Sequence, residues 1–438
     1  MDPIVIPEYG RIDRTPENAR ALEALRRFDQ RQAEANGTRP IFDWSRRDYV
    51  KAQNYVGVIQ VPGMTVEILP KVDTAKIERK DFPSKETAQN NLLYMLSLTR
   101  KIPVEERKLA ALARKRMPLL DALIRIFVER LFAELLRGLD HAYRHREENL
   151  PCLKGKLLMA EHLRKNLADR AHHFVAYDEF VSDTWLNRII KATCRKLLAM
   201  SSVTANQKRL REALVLLEEI GDVQIAAHHF DKIHLTRNTE RFRAILDFCR
   251  MVFVGQSPQA RIGSSRTFSL LFPMEQLFEE FIAAFIRRYS SRFGFAPAEI
   301  HPQTRNRGKY LVRRNEEGKF RLRPDIVIGK TADNPRLIID TKWKHLKTDR
   351  EDSKNGVPQA DMYQLYAYAT RYNCSDNILL FPHVDGIAPK SYTLDDNPKT
   401  RLRICTVSLN RDLRMEREAF CKELEKSLFP GDELTLPG

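Results

Sequence analysis

From Arg323 the chain runs Arg323-Pro324-Asp325-Ile326-Val327-Ile328, crosses Thr331-Ala332-Asp333-Asn334-Pro335, and continues Leu337-Ile338-Ile339-Asp340-Thr341-Lys342-Trp343. Two apolar, β-branched runs on either side of a cluster of turn formers predict a β-hairpin, with Asp325 early in its first strand. Side chains alternate between the faces of a strand, so Asp340 and Lys342 project from one side while Ile339 and Thr341 project from the other. Burying a carboxylate and an ammonium among so many apolar residues is costly unless the two are used. The hairpin is therefore either a surface feature with solvated charges or part of a reaction site. Phosphodiester hydrolysis asks for these residue types: carboxylates to hold a hard divalent cation, an activated water, and a positive group for the charge that builds on phosphate. Asp325 and Asp340 are the candidate metal ligands. Lys342 is the candidate for orienting water or stabilising the phosphate.

The flanking segments supply a setting. Pro273 opens a run with apolar residues at helical spacing through Leu277, Phe278, Phe281, Ile282, Phe285 and Ile286. Glu275 and Glu279 share a face of that helix, one turn apart, either to lend a further carboxylate or to form a solvated acidic face. After the hairpin, residues 359–369 read as another helix, in which Gln364 and Tyr368 are one turn apart and face the site or DNA. Asn377-Ile378-Leu379-Leu380-Phe381-Pro382 reads as a buried strand. Helix, strands, hairpin, helix and strand in this order suit a mixed sheet flanked by helices.

This arrangement resembles the PD-(D/E)xK nuclease superfamily, with Asp325, Asp340 and Lys342 at the positions that name it. Gln364 to Tyr368 is similar to the QxxxY helix of its RecB-like branch, and Glu279 to the helical glutamate often found there. Lys154-Gly155-Lys156, the run Asp183-Thr184-Trp185-Leu186-Asn187-Arg188-Ile189-Ile190-Lys191, and Leu380-Phe381-Pro382-His383-Val384-Asp385 further resemble the McrC family, from roughly Asn91 onward. The resemblance implies a Mg²⁺- or Mn²⁺-dependent DNA endonuclease subunit of a modification-dependent restriction system, with Asp325, Asp340 and Glu279 as metal ligands. It also implies a separate GTP-hydrolysing ring, McrB, as partner, and double-stranded, modified DNA as substrate. Lys154, Lys156, Asn187 and Arg188 are the candidate docking residues, the alternative for each being local capping and hydrogen bonding within its own domain. Two rival readings are a repair or recombination nuclease with another motor, and a catalytically silent DNA-binding adaptor.

A formal charge of +16 favours a polyanionic partner, because basic side chains on phosphates release counterions. Arg313, Arg314, Arg321 and Arg323, with Lys319, cluster just before the hairpin and are the candidate DNA contacts. The chain opens on Met1-Asp2-Pro3, without a signal-peptide pattern, and the apolar stretch near Leu119 to Leu136 is broken by charges at Asp121, Arg125, Glu129, Arg130 and Glu134. A cytoplasmic protein without a membrane partner is expected. The six cysteines are scattered with no Cys-x-x-Cys pair, which argues against structural zinc and a disulfide framework. The pairs His172-His173 and His228-His229 cannot converge on a metal from adjacent helical positions.

With 438 residues the chain has room for two or three domains. The expected class is multidomain α+β: a β-rich N-terminal module (1–84), a mostly helical partner-docking domain (85–255), and a C-terminal PD-(D/E)xK α/β nuclease domain with a mixed sheet (256–438). Gly329-Lys330-Thr331 ends like a phosphate loop, but Pro324 stands where the first glycine of that loop belongs and no helix can open at Ala332-Asp333-Asn334-Pro335. No nucleotide site is expected in this chain.

Overall fold

The structure is a computed structural model that describes residues 2–71, 85–104, 109–110, 117–254, 267–302, 309–315, 317–344, 346, 356–383, 389–395 and 397–428. Val384 and Asp385 of the expected Leu380–Asp385 motif lie outside these residues. The chain divides into two compact units, one formed by Met1–Leu119 with Ser269–Gly438 and the other by Leu120–Phe268. Both mix helices with sheets.

In the first unit, Tyr55–Val61 and Met64–Leu69 form a hairpin around Pro62-Gly63 and lie in a four-stranded sheet with Ile4–Pro7 and Phe268–Pro273. Ile6, Leu22, Leu25, Val50, Ile59 and Val66 belong to its apolar core. A helix runs from Ala19 to Asn36. Asn18 sets its start: its Oδ1 accepts from Thr15 N at 3.0 Å and its Nδ2 donates to Asp13 O at 2.8 Å, a local turn that competes with helix formation before Ala19.

The larger sheet of this unit has six strands in the order Ile300–Pro302, Ile326–Ile328, Leu337–Thr341, Asp376–Pro382, Arg401–Val407, Lys390–Thr393. The expected hairpin supplies its second and third strands, paired antiparallel and closed by a bridge between Thr331 and Asn334. Gly329-Lys330-Thr331 thus leads into a strand turn, and no helix starts there. Leu337–Thr341 then pairs in parallel with Asp376–Pro382. A parallel step requires a crossover, and the helix Gln359–Tyr372 lies within it. Leu365, Tyr368, Ala369 and Tyr372 of that helix share an apolar cluster with Val327, Ile338, Leu379 and Phe381. Ile338 and Asp340 have the same strand parity, so this helix covers the face that carries Asp340 and Lys342.

The second unit contains the helices Leu119–Leu135, Trp185–Met200, Thr204–Leu216 and Arg243–Val254, as helical periodicity predicted. It also contains an antiparallel ribbon, Ala142–Leu150 with His173–Val181, which the sequence did not announce. Much of this ribbon is exposed on both faces, so its residues lack the apolar alternation that normally betrays a strand. A buried polar network joins two of the helices: Asp121 accepts from Ser201 Oγ, from Ser202 Oγ at 2.6 Å and from Asn206 Nδ2 at 3.1 Å. Asp121→Ala strands these donors, and we expect it to lower the unfolding free energy by about 3 kcal/mol, read as a lower urea midpoint.

Candidate active site

Strand register sets the central geometry. Ile326 stands opposite Ile339, and Ile328 opposite Leu337. Continued by one residue, the same register puts Asp325 across from Asp340. Asp325 lies just before the strand, and its side chain takes over part of the ladder: Oδ2 accepts from Thr341 N at 2.7 Å and from Thr341 Oγ1 at 2.8 Å. Lys342 follows the end of its own strand but continues the pairing, its N–H donating to Leu380 O at 2.9 Å. Two carboxylates and one ammonium are thereby fixed by backbone pairing.

The helix Gln359–Tyr372 completes the group. The Lys342 ammonium pairs with Asp340 Oδ2 and donates to Gln364 Oε1 at 2.9 Å. Gln364 Nε2 donates to Tyr368 OH at 2.8 Å, and that hydroxyl donates to Arg323 O at 3.0 Å. The one-turn spacing of Gln364 and Tyr368 thus makes a relay from the base of the hairpin to the lysine. Asp361 sits one turn before Gln364, is buried, and adds negative potential to Asp340 and Lys342. Sequence reading passed over it, although its i,i+3 relation to Gln364 was the available signal.

Electrostatics make the site a demanding place for two anions. Asp340 is only 2% exposed, and its pKa is pushed up to about 7, first by burial and then by Asp325 opposite. Burial also raises the pKa of Asp325, against the hydrogen bonds from Thr341. Burial opposes the charge of Lys342, yet the facing carboxylates outweigh it and raise the lysine's pKa. Such a donor set suits a Mg²⁺-type ion, which takes one or two carboxylates and fills its remaining positions with waters and substrate phosphate oxygens. Among the described residues no group of three or more Asp, Glu, His or Cys side chains is arranged to hold a metal, so Asp325 and Asp340 would carry the protein's share of the ligation.

Behind the site, Trp343 packs on Phe278 with ring centroids 5.1 Å apart. Its Nε1 lies 3.0 and 2.9 Å from the two carboxyl oxygens of Glu8, a contact across most of the chain that no local pattern predicts. Burial raises the pKa of Glu8 to about 8, and Glu275 adds to the shift. The folded protein therefore binds more protons at Glu8 than the unfolded chain between pH 4.5 and about 8, and the resulting stability is complete below that window and lost as pH rises through it. Glu8→Gln should flatten the fall in thermal midpoint between pH 5 and pH 9, removing a pH-dependent stability on the order of 4 kcal/mol.

The other expected residues fall elsewhere. Glu279 lines a cavity of about 1720 Å³ whose walls include Tyr94, Lys101, Arg287, Arg288 and Arg414, but not Asp325, Asp340 or Lys342. Its neighbour Glu280 is ion-paired to Lys101 at 2.7 Å. Arg313, Arg314 and Arg323 are exposed and Arg321 is half-buried, all on or beside the strands Tyr310–Arg314 and Glu317–Arg321. In the second unit the Asp183–Lys191 run reads as architecture. Thr184 caps the helix by accepting from Asn187 N, while the fully buried Asn187 donates from Nδ2 to Asp140 O and Ser182 O at 2.8 and 2.7 Å. Arg188 pairs with Asp183 and holds that carboxyl down at about 2. Lys154 and Lys156 are exposed, with Lys154 Nζ 3.8 Å from the Tyr177 ring centre. Between them Gly155 has φ +73°, and a Cβ there would lie 2.4 Å from Ala176 O.

Residues 50–382 match the family model of the McrBC 5-methylcytosine restriction system component. The chain belongs to this family. This McrC-family chain is 23% identical over 287 residues to the type IV methyl-directed restriction enzyme EcoKMcrBC of Escherichia coli (strain K12), covering 63% of this chain and 79% of that one. Among solved structures it resembles a chain of the half-complex from a tetradecameric assembly of Thermococcus gammatolerans McrB AAA+ hexamers with bound McrC, with TM-score 0.70 and 20% identity over 95% of this chain and 100% of that one. It also resembles a chain of the Thermococcus gammatolerans McrBC complex, with TM-score 0.54 and 22% identity over 67% and 88% of the two chains. At such identities the structural matches speak for the McrC-family fold. Among the described residues no helix is long and apolar enough to cross a membrane.

Proposed function

We propose that this restriction-system component is a metal-dependent DNA endonuclease of the PD-(D/E)xK type, working with a GTP-hydrolysing McrB-type ring. The observation that carries the reading is the placement of Asp325 opposite Asp340 with Lys342 on the same face, held by the Gln364–Tyr368 relay. Asp325 and Asp340 would hold Mg²⁺ or Mn²⁺, which when bound supplies Lewis acidity toward a phosphate oxygen and a more acidic water. Lys342, fixed by Asp340 and Gln364, brings its ammonium to the side where phosphate charge develops, with no reorganisation needed at the moment of reaction. Thr341 holds Asp325 through two hydrogen bonds, keeping that carboxylate aimed at its counterpart. Arg313, Arg314, Arg321 and Arg323 would bind the DNA backbone.

The testing experiment combines the purified chain with an McrB-type ring protein from the same organism and follows linearisation of methylated and unmethylated plasmid across titrations of Mg²⁺ and GTP. Cleavage that requires the metal supports the reading. Metal-independent cleavage, or none under any condition, sinks it.

A further inference from the structure

Tyr310–Arg314 and Glu317–Arg321 pair with each other and form a sheet of their own, apart from the other sheets of their unit. Their base is fastened to the helix of the active-site relay. Lys309 N donates to Tyr372 OH at 3.1 Å, Arg371 Nε donates to Tyr310 O at 3.0 Å, and Leu322 N closes back on Lys309 O at 2.8 Å. One residue further on, Arg323 O accepts from Tyr368 OH. The ribbon is therefore anchored to the site at its root while its blade faces solvent.

A ribbon solvated on both faces has no need of large apolar side chains, yet this one exposes Phe320 by 75% and Val312 by 48%. Phe320 also has φ 53°, a left-handed backbone that a bulky side chain rarely adopts. Two residues before it, Gly318 lies under the Tyr310 ring, where a Cβ would come within 2.2 Å of a ring carbon, so the local curl is packed into the ribbon. Lys319 and Arg321 flank Phe320, and Arg313 and Arg314 stand on the facing strand.

We propose that this ribbon enters a groove of duplex DNA and that Phe320 is a wedge that unstacks a base step close to the cleavage site. The proposal rests on the nuclease reading. A two-stranded ribbon fits the major groove. Its cationic flanks match phosphates, and an exposed apolar ring finds an apolar counterpart on a polyanion only between the stacked bases. A ribbon that merely clamped the backbone would need the arginines and not the phenylalanine. The ribbon's cations, Arg313, Arg314, Arg321 and a Lys319 paired with Glu317 at 2.7 Å, outnumber its two glutamates, which favours nucleic acid over a protein partner.

The test uses the full chain in complex with its ring partner and a set of duplexes carrying 2-aminopurine at successive positions, with fluorescence and cleavage followed on the same samples. The wild-type complex should raise the fluorescence at one step. Phe320→Ala should abolish that rise and weaken duplex binding about tenfold, while Phe320→Trp should retain both. If the wild type cleaves with no fluorescence rise at any position, or Phe320→Ala behaves as wild type in both readouts, the wedge is overturned and the nuclease reading stands. A rise that depends on Phe320 without any cleavage by the wild type supports the wedge and removes the nuclease reading. Loss of ring binding in Phe320→Ala with the DNA response intact makes the ribbon a protein contact and also overturns the proposal.

Discussion

Asp340→Asn should remove plasmid cleavage by the complex of this chain with its ring partner, lowering the rate by roughly a thousandfold or more. The same substitution should leave the isolated protein more stable at pH 8 than the wild type. Asp340 is buried opposite Asp325, and its pKa stands at about 7 in the fold against 3.8 as a free side chain. Protons are thus bound more tightly by the folded chain, so stability from this group is present below pH 3.8 and is lost as pH rises through about 7. Asn keeps the shape and a hydrogen-bonding oxygen for Lys342 but carries no charge, and it should raise the thermal midpoint at pH 8 by an amount corresponding to about 1–3 kcal/mol. Loss of activity with gain of stability is the signature of a residue retained for chemistry. A variant that cuts at the wild-type rate would remove Asp340 from the reaction, and one that loses both activity and stability would make it a structural residue.

Mixed with the ring protein, the chain should raise GTP turnover roughly tenfold or more, a barrier lowered by about 1.4 kcal/mol or more, and DNA should be cut only in the mixture. By itself the chain should hydrolyse no GTP. Gly329-Lys330-Thr331, its nearest approach to a phosphate loop, leads into the turn of the site hairpin. Lys342→Ala separates the two activities: its side chain belongs to the hairpin site, so stimulation should persist while cutting disappears. Lys154→Ala with Lys156→Ala should instead reduce stimulation and, with it, the cutting that depends on the ring, because both side chains are exposed while Asn187 and Arg188 are engaged inside their own unit. Phosphate release and plasmid linearisation, followed in one reaction, read both effects. Strong cutting by the isolated chain, unaffected by GTP or the ring, would instead point to a free-standing nuclease.

Local periodicity was enough for part of this site. The alternation that puts Asp340 and Lys342 on one strand face, the turn chemistry between Ile328 and Leu337, and the one-turn spacing of Gln364 and Tyr368 all depend on neighbours within a few residues, and each appears in the structure as the spacing implies. Thr184, whose hydroxyl caps the helix it precedes, is equally local, although the sequence alone marks it only as part of a distinctive run. What the tertiary structure decided is everything that depends on register and burial. Asp325 faces Asp340 because one strand pairs with another at a particular offset, and a slip of one residue would have turned its side chain to the opposite face. Glu8 meets Trp343 because the N-terminal strands and the last third of the chain share one unit. Asn187 was legible as part of a distinctive run, but its full burial, and with it the internal use of its amide, came only from packing. Glu279 lies at helical spacing like Gln364, yet it lines a cavity among arginines, because periodicity fixes which residues share a helix face and only the packing of the helix fixes what that face meets.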